Sequence, residues 1–136
     1  MDPEMPEPMM HIGELAERTE LSLRTIRHYD EVGLLKPSGR TDGGFRLYTE
    51  RDCARLMLIR RMKPLGFSLE EMRAAMDDIE VLREPGAPPV ATEAARARLR
   101  EVQRDAGERR HRLVRQLEMA DEFIGLLDRE TGGGEA

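Results

Sequence analysis

Between Thr92 and about Asp128 the apolar residues Ala95, Leu99, Val102, Ala106, Leu113, Leu117, Ala120, Ile124 and Leu127 follow one another mostly in steps of four and three. A polar break around Arg109 and one stutter before Leu117 interrupt an otherwise heptad pattern. The spacing predicts a single helix of about 37 residues, roughly 55 Å long at 1.5 Å per residue. A narrow stripe of this kind does not stabilise an isolated helix in water, so a partner helix has to cover it. Packing back onto its own domain is the alternative, but a helix this long would overhang a small domain. The expected dimerisation residues are Leu99, Val102, Ala106, Leu113, Leu117, Ala120, Ile124 and Leu127.

Everything before this helix is built from short elements. Met1 to Met10 is acidic and proline-rich, and reads as a disordered leader (1–10). Ile12, Leu15 and Ala16 recur at helical spacing, and Glu20-Leu21 turns the chain into a second short helix. There Ser22 can accept an orphan backbone N–H at the N-terminus. Leu23 and Ile26 share one face, while Arg24, Thr25, Arg27, His28 and Tyr29 spread over the rest. Gly33 suits a C-terminal stop, after which Leu34-Leu35 can dock on the core. Two helices joined this tightly form a helix-turn-helix, in which the second is the reader. Its cations, hydroxyl and aromatic ring suit a DNA major groove, where arginine pairs bidentately with guanine and side chains hold phosphates. An ordinary solvated helix face would carry similar residues.

Lys36 to Tyr48 breaks helical periodicity. Asp42-Gly43-Gly44 is a turn signal, and Phe45-Arg46-Leu47-Tyr48 alternates as a strand. The expected product is a β-hairpin wing carrying Arg40 and Arg46, able to touch backbone or minor groove. Thr49 restarts a helix with Asp52 in a capping-box variant; Cys53, Leu56 and Ile59 point inward, and Arg51, Arg55, Arg60, Arg61 and Lys63 mainly outward. Pro64 should end or kink this helix. Ser68-Leu-Glu-Glu71 is a further capping box, opening a helix with Leu69, Met72, Met76 and Ile79 inside. This first domain (11–83) ends near Arg83. Glu84 to Thr92, with Pro85, Gly86, Pro88 and Pro89, contains the linker (84–91), followed by the coiled-coil helix (92–129) and a flexible tail (130–136).

The net charge of −5 is unevenly placed. Residues 11–66 hold eleven basic and eight acidic residues, whereas residues 67–136 hold eleven basic and sixteen acidic ones. A basic island in an acidic chain fits a polyanion partner. With Cys53 as the one cysteine, a disulfide framework or multi-cysteine metal site within one chain is excluded. That fits a reducing cytoplasm. No apolar run reaches transmembrane length. Neither a cofactor motif, a metal-ligand spacing nor a catalytic grouping is present, so an enzyme is not expected.

Five stretches stand in a specific order: Ile12-Gly-Glu-Leu-Ala16, Ser22-Leu-Arg-Thr-Ile-Arg-His-Tyr-Asp30, Gly33-Leu-Leu35, Gly44-Phe-Arg-Leu-Tyr48 and Leu65-Gly-Phe-Ser-Leu-Glu-Glu71. Together they make the chain resemble the MerR family of bacterial transcription regulators over about His11 to Leu82, with the long helix matching in kind. The resemblance implies a mainly α fold, in which a winged helix-turn-helix domain is followed by a long dimerisation helix forming an antiparallel coiled coil. It implies a homodimer on a near-palindromic operator within promoter DNA. The activated form would bend and untwist an overlong spacer so that RNA polymerase can use it, with contact energy spent on deformation.

By position, the resemblance places Arg24, Thr25 and Arg27 in or beside the major groove, after Ser22. His28 stands where the family often has tyrosine. Tyr29 would contact backbone, Arg46 and Tyr48 belong to the wing, and Lys63 matches a phosphate-contacting lysine whose aim Pro64 puts in question. The signal is not implied. Cysteines of metal-sensing relatives are absent from 91–96 and 129–136, and too few residues follow Asp128 for a ligand-binding domain. Cys53 reads as a small core residue and His111 as surface. An effector would sit between the coiled coil and the linker, or be another protein. Two other readings remain: an effector-independent architectural DNA-binding protein of the same fold, and a protein-interaction adapter.

Overall fold

A computed structural model describes residues 8–133. The expectations for residues 1–7 and 134–136 lie outside the described residues. Two compact units divide at Glu80 and Val81.

The first unit opens with a strand, β1 (Met9–His11), where the leader was expected to continue to Met10. It pairs antiparallel with β3 (Arg46–Thr49), Met10 opposite Tyr48, and Met10 is only 4% exposed. Burying that side chain and satisfying the edge of β3 outweigh the lack of any strand pattern in three residues. On its other edge β3 pairs with β2 (Gly39–Arg40), so the wing is a three-stranded sheet in the order β1-β3-β2 rather than a simple hairpin.

Helix α1 (Ile12–Thr19) and helix α2 (Leu23–Glu31) follow one another through Glu20, which adopts φ 59. Ser22 caps α2 as expected: its Oγ accepts from the Thr25 backbone N–H at 3.0 Å. At the other end Gly33, with φ 77, donates to the Asp30 carbonyl, and Leu34 donates to the Tyr29 carbonyl at 2.9 Å. This pair of bonds is a Schellman motif, and it sends Leu34 and Leu35 into the core. The buried stripe of α2 is Ile26, Tyr29 and Asp30, so Leu23, 38% exposed, does not join it as expected.

Helix α3 (Glu50–Met62) starts with the reciprocal Thr49–Asp52 capping box, and Asp52 also accepts from Ser38 Oγ at 2.6 Å. Cys53, Leu56 and Ile59 are buried. Pro64 stops the helix, leaving a 3-10 turn at Lys63–Leu65 closed by Gly66 at φ 88. Helix α4 (Leu69–Arg83) opens on the Ser68–Glu71 box and buries Met72, Ala75 and Met76; Leu69 and Ile79 are only half-buried.

In the second unit, helix α5 (Pro89–Thr131) is 43 residues long, about 65 Å. It begins three residues before the expected cap Thr92, because Pro89 occupies the first turn, where a missing N–H costs nothing. It ends two residues later than expected, at a left-handed Gly132. No described helix is long and apolar enough to cross a membrane.

Candidate nucleic-acid interface

The cations of the basic island fall into two groups. Seven of the eleven between His11 and Gly66 are held by carboxylates. Arg18 pairs with Glu50 and Arg60 with Glu20. Arg51 and Arg55 both reach Glu80, and Lys36, Arg40 and Arg46 converge on Asp30. The other four, Arg24, Arg27, Arg61 and Lys63, are exposed and pair with no carboxylate among the described residues. Two of these four, Arg24 and Lys63, line one open groove of about 550 Å³ together with Thr25, His28, Tyr29, Glu31 and Leu69.

Each wall of this groove has a local cause. The Ser22 cap fixes the first turn of α2, and Ser22 Oγ also donates to Thr25 Oγ1 at 2.8 Å. Arg24 and His28, four residues apart, therefore lie on one face of α2. The 3-10 turn at Pro64 carries Lys63 to the same groove, so Pro64 does not remove that lysine from α2. Tyr29 is 5% exposed and its ring lies 6.1 Å from that of His28, so little of the residue is open to solvent. Burial pushes its phenol up from the ordinary value.

Tyr48 is the clear correction. It belongs to the wing, as the resemblance implies, but it is wholly buried and so is not open to DNA, and its hydroxyl has no hydrogen-bond partner among the described residues. The cause is β1: with a strand on each edge, β3 is central and Tyr48 faces Met10 on the inner side. Arg40 and Arg46 do belong to the wing, but both are engaged. Arg46 Nε donates to Asp30 Oδ2 at 2.8 Å and is the more buried of the two.

Asp30 itself was read only as part of a motif. Burial pushes its carboxyl up, but Arg46 and Lys36 outweigh that and hold it below the usual carboxylate range. Phe45, also passed over, stands 69% exposed beside the Thr41–Gly44 turn. Cys53 is buried, and burial raises its thiol. His111 is exposed. Among the described residues no group of His, Cys, Asp and Glu is arranged to hold a metal ion.

Along α5, Ala95 is buried and Leu99, Val102 and Ala106 are half-buried. The rest of the seam is exposed: Leu113 44%, Leu117 62%, Ile124 57% and Leu127 42%, with Ala120 between them. Met119, Phe123 and Leu126 add a second exposed apolar row that the heptad reading left out.

Residues 10–79 match the family described as MerR HTH family regulatory protein, and residues 53–129 match MerR, DNA binding. The chain is 36% identical over 119 residues to the HTH-type transcriptional regulator YfmP of Bacillus subtilis, covering 85% of this chain and 80% of YfmP. It is 51% identical over 65 residues to the HTH-type transcriptional regulator ZntR of Escherichia coli, which is 48% of this chain and 46% of ZntR. Relatives such as ZntR are thus spanned for less than half of their length. A MerR-family transcriptional regulator from Bacillus cereus superposes with a TM-score of 0.61 at 27% identity, covering 95% of this chain and 87% of that one. With its reading helix, wing and long helix in the matching order, the chain belongs to the MerR family of helix-turn-helix regulatory proteins.

Proposed function

We propose that this chain is a transcriptional regulator that binds promoter DNA as a homodimer and remodels the spacer by bending and untwisting it. The observation that carries this reading is the partition of charge. Arg24, Arg27 and Lys63 stay exposed on and beside α2 with no carboxylate partner among the described residues, as does Arg61 in the last turn of α3, while the other seven cations of the island lie against carboxylates. Arg27 reads a base edge, Arg24 and Thr25 lie in or beside the major groove, and Lys63 holds a phosphate. The exposed apolar face of α5 supplies the dimer contact, and two reading helices joined by a dimer demand a two-fold site.

The test is a footprint of the purified protein on its own upstream region, with and without RNA polymerase. A protected two-fold site between the polymerase-recognition elements, with distorted central bases, is expected. Protection that spreads without half-sites would replace this reading with the architectural one. Absence of protection at physiological salt would leave the adapter.

A further inference from the structure

Asp30 is a well-shielded charge at the reading head, with its side chain 9% exposed, and it sits where α2 ends and the wing begins. Three cations reach it from three places on the wing side of the chain. Arg46 Nε, on β3, lies 2.8 Å from Oδ2 and its side chain is 27% exposed. Arg40, on β2, lies 3.6 Å from the same oxygen and is 49% exposed. Lys36 Nζ lies 3.5 Å from Oδ1, donates to the Asp30 carbonyl at 3.3 Å, and is 69% exposed.

One carboxylate cannot neutralise three cations, and the three pairings are unequal. The Arg46 pairing is short and shielded, and a half-buried, hydrogen-bonded pair of this kind is costly to break. The other two are long and solvent-facing, the class of ion pair that contributes little and yields to competing charge. A phosphate presented to the wing is such a competitor.

We propose that Asp30 is a positioning residue with two parts: it fixes the wing on α2 through Arg46, and it holds Lys36 and Arg40 as a stand-in phosphate until DNA takes them. The inference rests on the DNA-binding reading above. Before binding, Asp30 keeps the two long side chains gathered beside the reading helix. On binding they exchange one anion for another while Arg46 stays in place, so α2 and the wing arrive as one body.

The test is a salt titration of binding to a random-sequence duplex of about thirty base pairs, which reports phosphate neutralisation without a known operator. For a double variant Lys36→Gln, Arg40→Gln, the slope of log K against log salt should fall by about 1.8 per bound protomer, at about 0.9 for each phosphate no longer held. For Asp30→Asn, binding at low salt should become about two- to thirty-fold tighter, since two exposed ion pairs no longer have to be broken. If the double variant keeps the wild-type slope, Lys36 and Arg40 stay on Asp30 and the exchange is wrong. A folded Asp30→Asn that binds more weakly would also overturn the exchange, because the carboxylate would then be structural alone. The double variant leaves Asp30 and Arg46 untouched, so it remains decisive even if Asp30→Asn fails to fold. Wild-type protein that binds no duplex at any salt would instead overturn the DNA-binding reading, and this inference with it.

Discussion

The dimer is the part of the proposed function most open to a quantitative test, and Leu117 is the residue to change. It lies on the heptad seam of α5 and is 62% exposed in a single chain. Fully burying a leucine side chain contributes about 1.5–3 kcal/mol, so covering that exposed fraction contributes roughly 1–2 kcal/mol per protomer. A two-fold contact counts each residue twice, which makes about 2–4 kcal/mol for the dimer. At 1.4 kcal/mol per factor of ten, Leu117→Ala should weaken dimerisation roughly 30- to 700-fold. Alanine is the better helix former, so the substitution does not act through the helix itself. Sedimentation equilibrium of wild type, Leu117→Ala and Glu122→Ala measures this directly, the last lying on the opposite side of the helix by its 3.6-residue period. A dimer constant within twofold of wild type for Leu117→Ala would refute the seam as the interface. A similar loss in Glu122→Ala would refute the assignment of faces.

Arg27→Ala should cost about 1–3 kcal/mol of operator affinity and relax the sequence preference at one position per half-site, as measured by competition with single-base variants of the footprinted site. Lys63→Gln should instead weaken binding alike on all sequences and lower the salt slope by about 0.9 per protomer. Tyr48→Phe removes a buried hydroxyl without a partner among the described residues, so chemical denaturation should show stability unchanged or raised by up to about 1 kcal/mol; a loss of that size would mean the hydroxyl is bonded. The Asp30 carboxyl is held below its ordinary value in the folded chain. Its stabilising contribution is therefore present above the unfolded value near pH 3.9 and lost as pH falls through the lower folded value. Unfolding midpoints followed from about pH 5 down to pH 2 should show an acid loss that Asp30→Asn reduces.

Local chemistry made most of the first unit legible. Ser22, Thr49 and Ser68 act as caps because each offers an oxygen to a backbone N–H three residues on, and Pro64 ends α3 because it has no N–H to give. What escaped depends on residues far apart in the chain. Met9–His11 has no strand pattern of its own; it is a strand because β3, some thirty-five residues later, offers it an unpaired edge. The burial of Tyr48 has the same origin, since alternation along β3 gives two faces but not which of them is covered. Asp30 is one acidic residue in a cationic helix until the fold brings Arg46, sixteen positions on, against it. The heptad rule also selects one seam and is blind to a neighbouring row, so it passed over Met119, Phe123 and Leu126. The candidate site was legible in its residue types and not in its pairings.

Those pairings explain how a chain with net charge −5 can present itself to a polyanion. A phosphate at the surface responds to charges within a Debye length, about 8 Å at physiological ionic strength, so the total matters less than which cations remain unpaired locally. Glu20, Glu50 and Glu80 hold arginines of α1 and α3, and Asp30 gathers those of the wing. Each such pair removes positive charge from a place where it would bind any duplex in any orientation. Arg24, Arg27 and Lys63 keep their charge on and beside α2, with Ser22 and Thr25 fixing the turn that presents them. A uniformly basic domain would bind DNA tightly and indifferently. Here Arg24, Arg27, Arg61 and Lys63 are the island's cations without a carboxylate partner among the described residues, two of them on the helix proposed to read bases, which favours docking in one orientation. Replacing the pairing glutamates should therefore raise affinity for random duplex more than affinity for the operator. On the proposed function, then, the acidic residues of the island bear on specificity as well as its arginines.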